Sequence, residues 1–518
     1  MTWALVALCV ILLLPLALVD VPPLLDYPNH LARAMVLAFG GSDPILSHMY
    51  AQRWSIIPNL GTDLVLPPLM HILPVHLAGR VVIGCVILLP VIGTIAYSRA
   101  VFGARSAWPL ASGLVAYNAT LILGFLNFVA AIGIALLLAA AWVAWRDRYP
   151  RRLLFLAAIG TIALFFCHLM GLLFFYLLIA GYEMKRLWSH RTQATALLTR
   201  MAATLPIIAP PLVLYLLSPL APLATEIEYA SFADKARQLI FPFANYLLPL
   251  DIATGVIVVA FLLACMATGR CRIRFVSDTA MVFVAGLYLA TPWAFKGTYF
   301  LDIRFLIMFG FLLFGALLPT NLPRRVQITA ITAFSLLFGI RMATVGYAWH
   351  QHQHDIADLR SVTAAVQPGE RVYIASVPPK DAPGYWQNGP LTRMLSNGIR
   401  LDYHLPALLL IEHRAFWPFL FDNPSQQPIE TLLPYRGLAD RARSIADHAA
   451  LAVPGKVDLC GFDYLLLLEA GAEPDLQHFG GARLRLLTGS NMAALFRVNP
   501  STCEPPAHQP QTARIRSD

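Results

Sequence analysis

Over the first 343 residues, long apolar runs alternate with short polar connections, and the runs have the length needed to cross a bilayer. Stretches that fit a span fall at 2–19, 79–97, 107–122, 127–145, 152–167, 171–183, 200–217, 251–268, 278–295, 304–320 and 325–343. The pattern predicts an α-helical polytopic membrane protein of about eleven transmembrane helices, occupying residues 1–343. One division needs an argument. As a single helix the continuous apolar run 152–182 would be roughly 46 Å long, against a bilayer core of about 30 Å. It is therefore read as two short, tilted helices turning near His168 and Gly171.

Charge supports that division. With the N-terminus in the cytoplasm, the inside connections carry Arg99, Arg105, Arg146, Arg148, Arg151, Arg152, Lys185, Arg186, Arg191, Arg200, Arg270, Arg272, Arg274, Arg324 and Arg325. The much longer outside connections carry only Arg33, Arg53, Arg80, Lys235, Arg237, Lys296 and Arg304. Positive charge resists translocation, so this asymmetry sets the orientation, and merging 152–182 would invert every later loop. The first segment lacks a charged leader and a small-x-small cleavage site before Asp20, and reads as a retained helix.

Composition agrees: 58% of residues are hydrophobic and 13% charged, more apolar side chain than a soluble chain of this length can bury. The net charge of +9 belongs to the membrane half, with 23 Lys/Arg against 12 Asp/Glu before residue 344 and 15 against 17 after it. The basic residues flank apolar runs in short clusters and form no continuous face, which excludes a nucleic-acid partner.

The same parity puts three segments outside the cytoplasm: 20–78, 218–249, and a domain over 344–500, followed by a disordered tail at 501–518. The domain reads as mixed α/β. Strands are predicted at 370–377, 462–470 and a closing pair around LRLLTG and ALFRVN, with helix at 429–450. In the first loop, Pro28 suits the first turn of a helix running to about Phe39, with Asp26 just before it. His30 and Arg33 then share one face of what reads as an interfacial helix. The segment 218–249 reads as an amphipathic lid along the surface. Of the acidic residues in the membrane half, only Asp147, Glu183 and Asp278 fall on the cytoplasmic side. Asp26 stands out among the others because it follows the first helix closely and has His30 and Arg33 within two turns.

These features together resemble the C-type membrane glycosyltransferase superfamily (GT-C). The resemblance is carried by PPLLDYPNHLAR in the first loop, LDIRF at 301–305 and YHLPALLLIEHRAFWPFLF at 403–421. It implies transfer of a sugar from a polyprenyl-phosphate-linked donor to an envelope lipid, glycan or protein acceptor, at the extracytoplasmic face of a bacterial inner membrane. The first-loop carboxylate of the family falls on Asp26, as catalytic base or as ligand of a divalent metal, Mg or Mn. Many members carry paired acids where this chain has Asp26-Tyr27. His30 is the expected catalytic neighbour, and Arg33 is expected to shape the substrate site. A phosphate-linked donor also calls for cations at the outer interface, and Arg304, beside Asp302, leads a set with Lys296, Lys235 and Arg237. His168 is grouped with the substrate-binding residues, although a satisfied histidine within the bundle is its simpler reading.

Elsewhere the chemistry is weaker. His350, His352 and His354 alternate along a segment that reads as a polar linker, where a metal site is the lesser reading. His404, Glu412, His413 and Arg414 are candidates for the border of an acceptor groove. Cys460 and Cys503 stand alone in the soluble part and are expected to pair in an oxidising compartment. Two other readings remain: a multi-pass transporter or flippase, which would place ionisable groups at mid-membrane depth, and a non-catalytic scaffold of envelope polysaccharide assembly, which would leave Asp26 facing no cavity.

Overall fold

The computed structural model describes residues 2–188, 194–223, 227–376, 393–396, 399–445, 459–468 and 483–499. The helices, in chain order, are α1 (Thr2–Leu13), α2 (Tyr27–Phe39), α3 (Pro44–Met49), α4 (Gly61–Met70), α5 (Val75–Phe102), α6 (Ala119–Ile122), α7 (Leu126–Trp145), α8 (Pro150–Cys167), α9 (Leu169–Trp188) and α10 (Ala194–Leu217). They continue as α11 (Phe232–Gln238), α12 (Leu248–Ala267), α13 (Phe275–Ala290), α14 (Ile303–Gly315) and α15 (Arg324–Thr363). Among the described residues, α5, α7, α8, α12 and α15 are long and apolar enough to cross a membrane, and shorter apolar helices pack among them. The chain is a polytopic membrane protein.

Three places show how the residues decide these elements. The run 152–182 breaks where expected: α8 ends at Cys167, His168 adopts an extended backbone, and α9 begins at Leu169. The two helices are antiparallel: α8 ends with Cys167 against the Asn127 carbonyl at the start of α7, where His168 also meets Phe128, and α9 then runs back until Glu183 receives the Arg146 and Trp142 side chains at the far end of α7. The stretch 107–122, expected as an ordinary spanning helix, is instead a 3-10 helix at Trp108–Val115 followed by the short α6. Pro109, Ser112 and Gly113 weaken an α-helix there, and the greater rise of a 3-10 helix, about 2.0 Å per residue, carries a short segment further. Its two ends lie at opposite ends of the bundle: the Trp108 indole donates to the Leu313 carbonyl, and the Ile122 carbonyl accepts from Leu25 N–H. The third place is α15, a single helix of 40 residues. It runs through residues 343 and 344 and through the whole histidine run, so that run is helical and not a linker. His350 and His354 meet ring to ring, while His352 is buried away from solvent.

The C-terminal part holds a sheet of four strands in the order β6 (Val372–Ser376), β8 (Tyr464–Leu468), β10 (Ala493–Asn499), β9 (Arg483–Gly489). β6 and β8 are parallel and the other two pairs antiparallel. All five residues of β8 are buried, as befits a central strand covered on both faces. The expected helix at 429–450 begins as a strand: Ile429–Thr431 pairs with Tyr50–Gln52 of the first loop, and the helix proper is Tyr435–Ile445. The tail 501–518 and Cys503, the expected partner of Cys460, lie outside the described residues.

The same C-terminal part corrects the reading of α2. That helix is not interfacial, since eleven of its thirteen residues are buried. It lies between α4 and the segment around Leu405–His413, which supplies the cover that a surface helix would lack. Ion pairs fasten this arrangement. Arg360 of α15 binds Glu412 bidentately and also Asp20; His76 reaches the same Glu412; Arg414 meets Asp43; Arg53 meets Glu430. Glu412 and Arg414 are thus engaged in ties between the two halves of the chain.

Candidate active site

Asp26 occupies the N-cap of α2, a position where aspartate usually accepts the first free N–H groups of its helix. Asp43, Asn118 and Ser231 do so in this chain. Asp26 does not. Its own backbone is already helical, at φ −84° and ψ −10°, and its carboxylate makes no cap bond. Hydrogen bonds from the N–H groups of Leu25 and Asp26 to the carbonyls of Ile122 and Leu123 hold the backbone there. The side chain is deep-set yet keeps 18% of its surface open.

The turn that receives Asp26 depends on Gly124, whose φ of +83° is a left-handed conformation. A Cβ at Gly124 would stand 2.6 Å from the Asp26 nitrogen. We expect Gly124→Ala to cost about 1–3 kcal/mol in unfolding experiments and to displace Asp26, lowering activity along with stability.

Two elements, α14 and α2, bring positive charge to this point. Burial raises the Asp26 carboxyl to about 7, and the opposing pull of Arg304 and Arg33 does not restore its ordinary value. Arg304 enters from the first turn of α14. Its guanidinium bonds to the carbonyls of Phe300 and Tyr299 and to His168 Nε2, and stacks over Phe125 and Phe128 at 4.9 and 5.4 Å. These contacts use three of its five N–H donors. His168 therefore positions Arg304 from the break between α8 and α9.

On the other side, Arg33 forms a two-pronged ion pair with Asp63, at 2.7 and 2.9 Å, with both side chains about 1% exposed. Its Nη2 also donates to His30 Nδ1 at 3.0 Å. His30 is held neutral by burial and by Arg33, well below the usual imidazole range. The C-terminal part completes the site with His404, whose Nε2 stands 3.5 Å from Asp26 Oδ1.

The remaining residues singled out in the sequence fall elsewhere. Asp302 caps α14 and binds Lys235, both buried, so this acid serves the helix terminus and its cation. Arg304 is thus not paired with its sequence neighbour. Lys235 spends its other donors on the carbonyls of Tyr288 and Thr291. Lys296 donates to the Ala221 carbonyl, and Arg237 pairs with Asp234 on the surface. Two contributors escaped the sequence reading: Asp63, signalled only by an acid in the first turn of a short helix, and Asn29, which ties His404 to α2.

A divalent cation does not suit these donors. Mg or Mn needs several oxygen ligands, and the Asp26 carboxylate faces two guanidinium groups while the nearby Asp63 is consumed by Arg33. Among the described residues no three His, Cys, Asp or Glu side chains gather as a metal set. A separate cavity of about 640 Å³ opens near Trp108, Phe261 and Phe334; its lining contains no ionisable side chain.

No family model and no curated protein is similar to the chain. Among solved structures it superposes on the crystal structure of ArnT from Cupriavidus metallidurans bound to undecaprenyl phosphate. The TM-score is 0.51 at 13% sequence identity, over 97% of this chain and 99% of that one. At this identity the likeness establishes a shared fold along nearly the full length of both chains.

Proposed function

We propose that the chain is a GT-C-type membrane glycosyltransferase that moves a sugar from a polyprenyl-phosphate-linked donor to an acceptor hydroxyl, with Asp26 as the base. The observation that carries this reading is the Asp26 carboxylate itself: deep-set but 18% exposed, unspent on its helix and under the pull of Arg304 and Arg33. In the step we infer, Asp26 takes the proton of the acceptor hydroxyl as its oxygen attacks the anomeric carbon. The bond from that carbon to the donor phosphate oxygen breaks, and Arg304 stabilises the departing anion. Residues 403–421, part of the resemblance to this superfamily, supply His404 to the same site, and the fold shared with a protein crystallised on undecaprenyl phosphate fits a lipid-phosphate donor.

The charge asymmetry of the loops favours an orientation with Asp26, Arg304 and the C-terminal domain, residues 344–500, on the extracytoplasmic side. Acceptor proteins, glycans and lipids of the envelope are found there.

The direct test is to delete the gene, restore it, and compare outer-face glycolipids and glycans by mass spectrometry. A sugar-bearing product that vanishes and returns supports the assignment, and identical profiles overturn it. For the donor, Arg304→Leu should weaken binding of undecaprenyl phosphate to the purified protein by at least about tenfold, since a hydrogen bond to a charged group contributes about 1.5–3 kcal/mol. Native mass spectrometry in lipid nanodiscs would measure this. The base must be ionised to act. With the Asp26 carboxyl at about 7, transfer should fall about tenfold per pH unit below that value and level off above it.

A further inference from the structure

His404 comes from the C-terminal part, yet its ring is fixed from α2. The Asn29 carboxamide has its orientation set by two backbone groups: Oδ1 accepts the Phe421 N–H at 2.9 Å and Nδ2 donates to the Phe419 carbonyl at 2.9 Å. The same Nδ2 lies 3.2 Å from His404 Nδ1, which must then be the acceptor. A neutral imidazole with Nδ1 accepting carries its proton on Nε2. Nε2 is the atom that faces Asp26 Oδ1, at 3.5 Å. The ring makes edge contacts with Trp417 and Phe421, at centroid distances of 5.9 and 5.0 Å.

We propose that His404 is a positioning residue for Asp26: Asn29 locks it as the Nε2–H tautomer, and that N–H holds Oδ1 while Oδ2 is left to receive the acceptor's proton. The proposal rests on the reading of Asp26 as the base. Because burial keeps the His404 ring neutral, with its titration lowered to about 4, it orients the carboxylate without adding a third positive charge. The charged and titratable groups acting on Asp26 are Arg304 from α14, Arg33 from α2 and His404 itself; His30 is bonded to Arg33 and influenced by His404, and His168 is bonded to Arg304. The 3.5 Å separation is longer than a formed hydrogen bond, and the proposal requires it to shorten when Asp26 is charged.

The test reads Asp26 without any substrate. Purified full-length protein is treated with a carbodiimide and an amine across a pH series, and labelling of Asp26, which requires the protonated acid, is followed by peptide mass spectrometry. In wild type the midpoint should fall near 7. His404→Phe should raise it by about half to one pH unit, the worth of one lost hydrogen bond to the charged form. His404→Gln, which keeps an N–H donor, should restore most of the difference. Asn29→Leu removes only the tautomer lock and should shift the midpoint in the same direction by less.

A merely structural histidine would lower thermal stability in these variants and leave the midpoint in place. Coincident midpoints for wild type and His404→Phe overturn the proposal; if that variant does not fold, coincidence for Asn29→Leu does so. The outcome is separable from the fate of the catalytic reading. A shifted midpoint with product unaffected by Asp26→Asn would retire the base and keep the pair, and the reverse pattern would do the opposite.

Discussion

Asp26→Asn should lower transfer by at least about 100-fold, the usual contribution of a positioned general base, while leaving the protein folded. Asparagine has nearly the same shape, so Gly124, Leu123 and Arg304 keep their places and only the proton acceptor is lost. Stability should move the other way. The folded-state value of about 7 lies above the ordinary 3.8 of the carboxyl, so the neutral form is favoured in the folded protein. The stability associated with this group is full below about pH 4 and is lost as pH rises through about 7. At pH 8 the asparagine variant should therefore unfold at the same temperature as wild type or higher. Loss of outer-face product together with an undiminished thermal midpoint is the expected pair of results; retained product would remove Asp26 from the mechanism.

The second large effect is expected from a residue that does no chemistry. Asp63→Leu leaves Arg33 buried and charged with no counter-ion, and breaking such a pair from one side costs about 3–5 kcal/mol. The double variant Arg33→Met, Asp63→Leu should recover most of that loss, because it removes both desolvated charges and fills the space with apolar atoms. Denaturant or thermal unfolding in nanodiscs can compare the three proteins. The double variant should still be a poorer catalyst, since His30 loses the Arg33 donor that fixes its ring. A single variant as stable as wild type would mean that Arg33 finds another partner.

Much of this arrangement was readable from local pattern, and the exceptions share a cause. The break at His168 followed from length against bilayer thickness, and strands at 372–376, 464–468 and 493–499 followed from short apolar alternation between turn signals. Asp26 was legible as a candidate because an acid placed between a membrane helix and a proline-started helix is unusual. Its isolation from cap bonds was not, since that depends on φ and ψ at one residue. The burial of α2 was invisible because its cover lies in a segment almost 400 residues away; for the same reason, the link between Asn29 and His404 has no local signal. The long helix α15 was legible in principle. Val345, Trp349, His352, Ile356, Leu359 and Val362 are buried at spacings of three and four residues, a helical period that continues after hydropathy falls. Alternating histidines drew attention to a period of two and obscured it.

The pairing of Tyr50–Gln52 with Ile429–Thr431 has a consequence for biosynthesis. Chains grow from the N-terminus at about 5–20 residues per second, so Asp26 is made tens of seconds before His404 and before the strand that clasps the first loop. Throughout that interval α2 lacks its cover and the carboxylate lacks its imidazole. On the proposed reading, a nascent or prematurely terminated chain would therefore hold Asp26 without the rest of its site. If Asp26 is the base, competence would arrive only when the C-terminal part folds back, which would make the clasp a check on the completeness of the polypeptide.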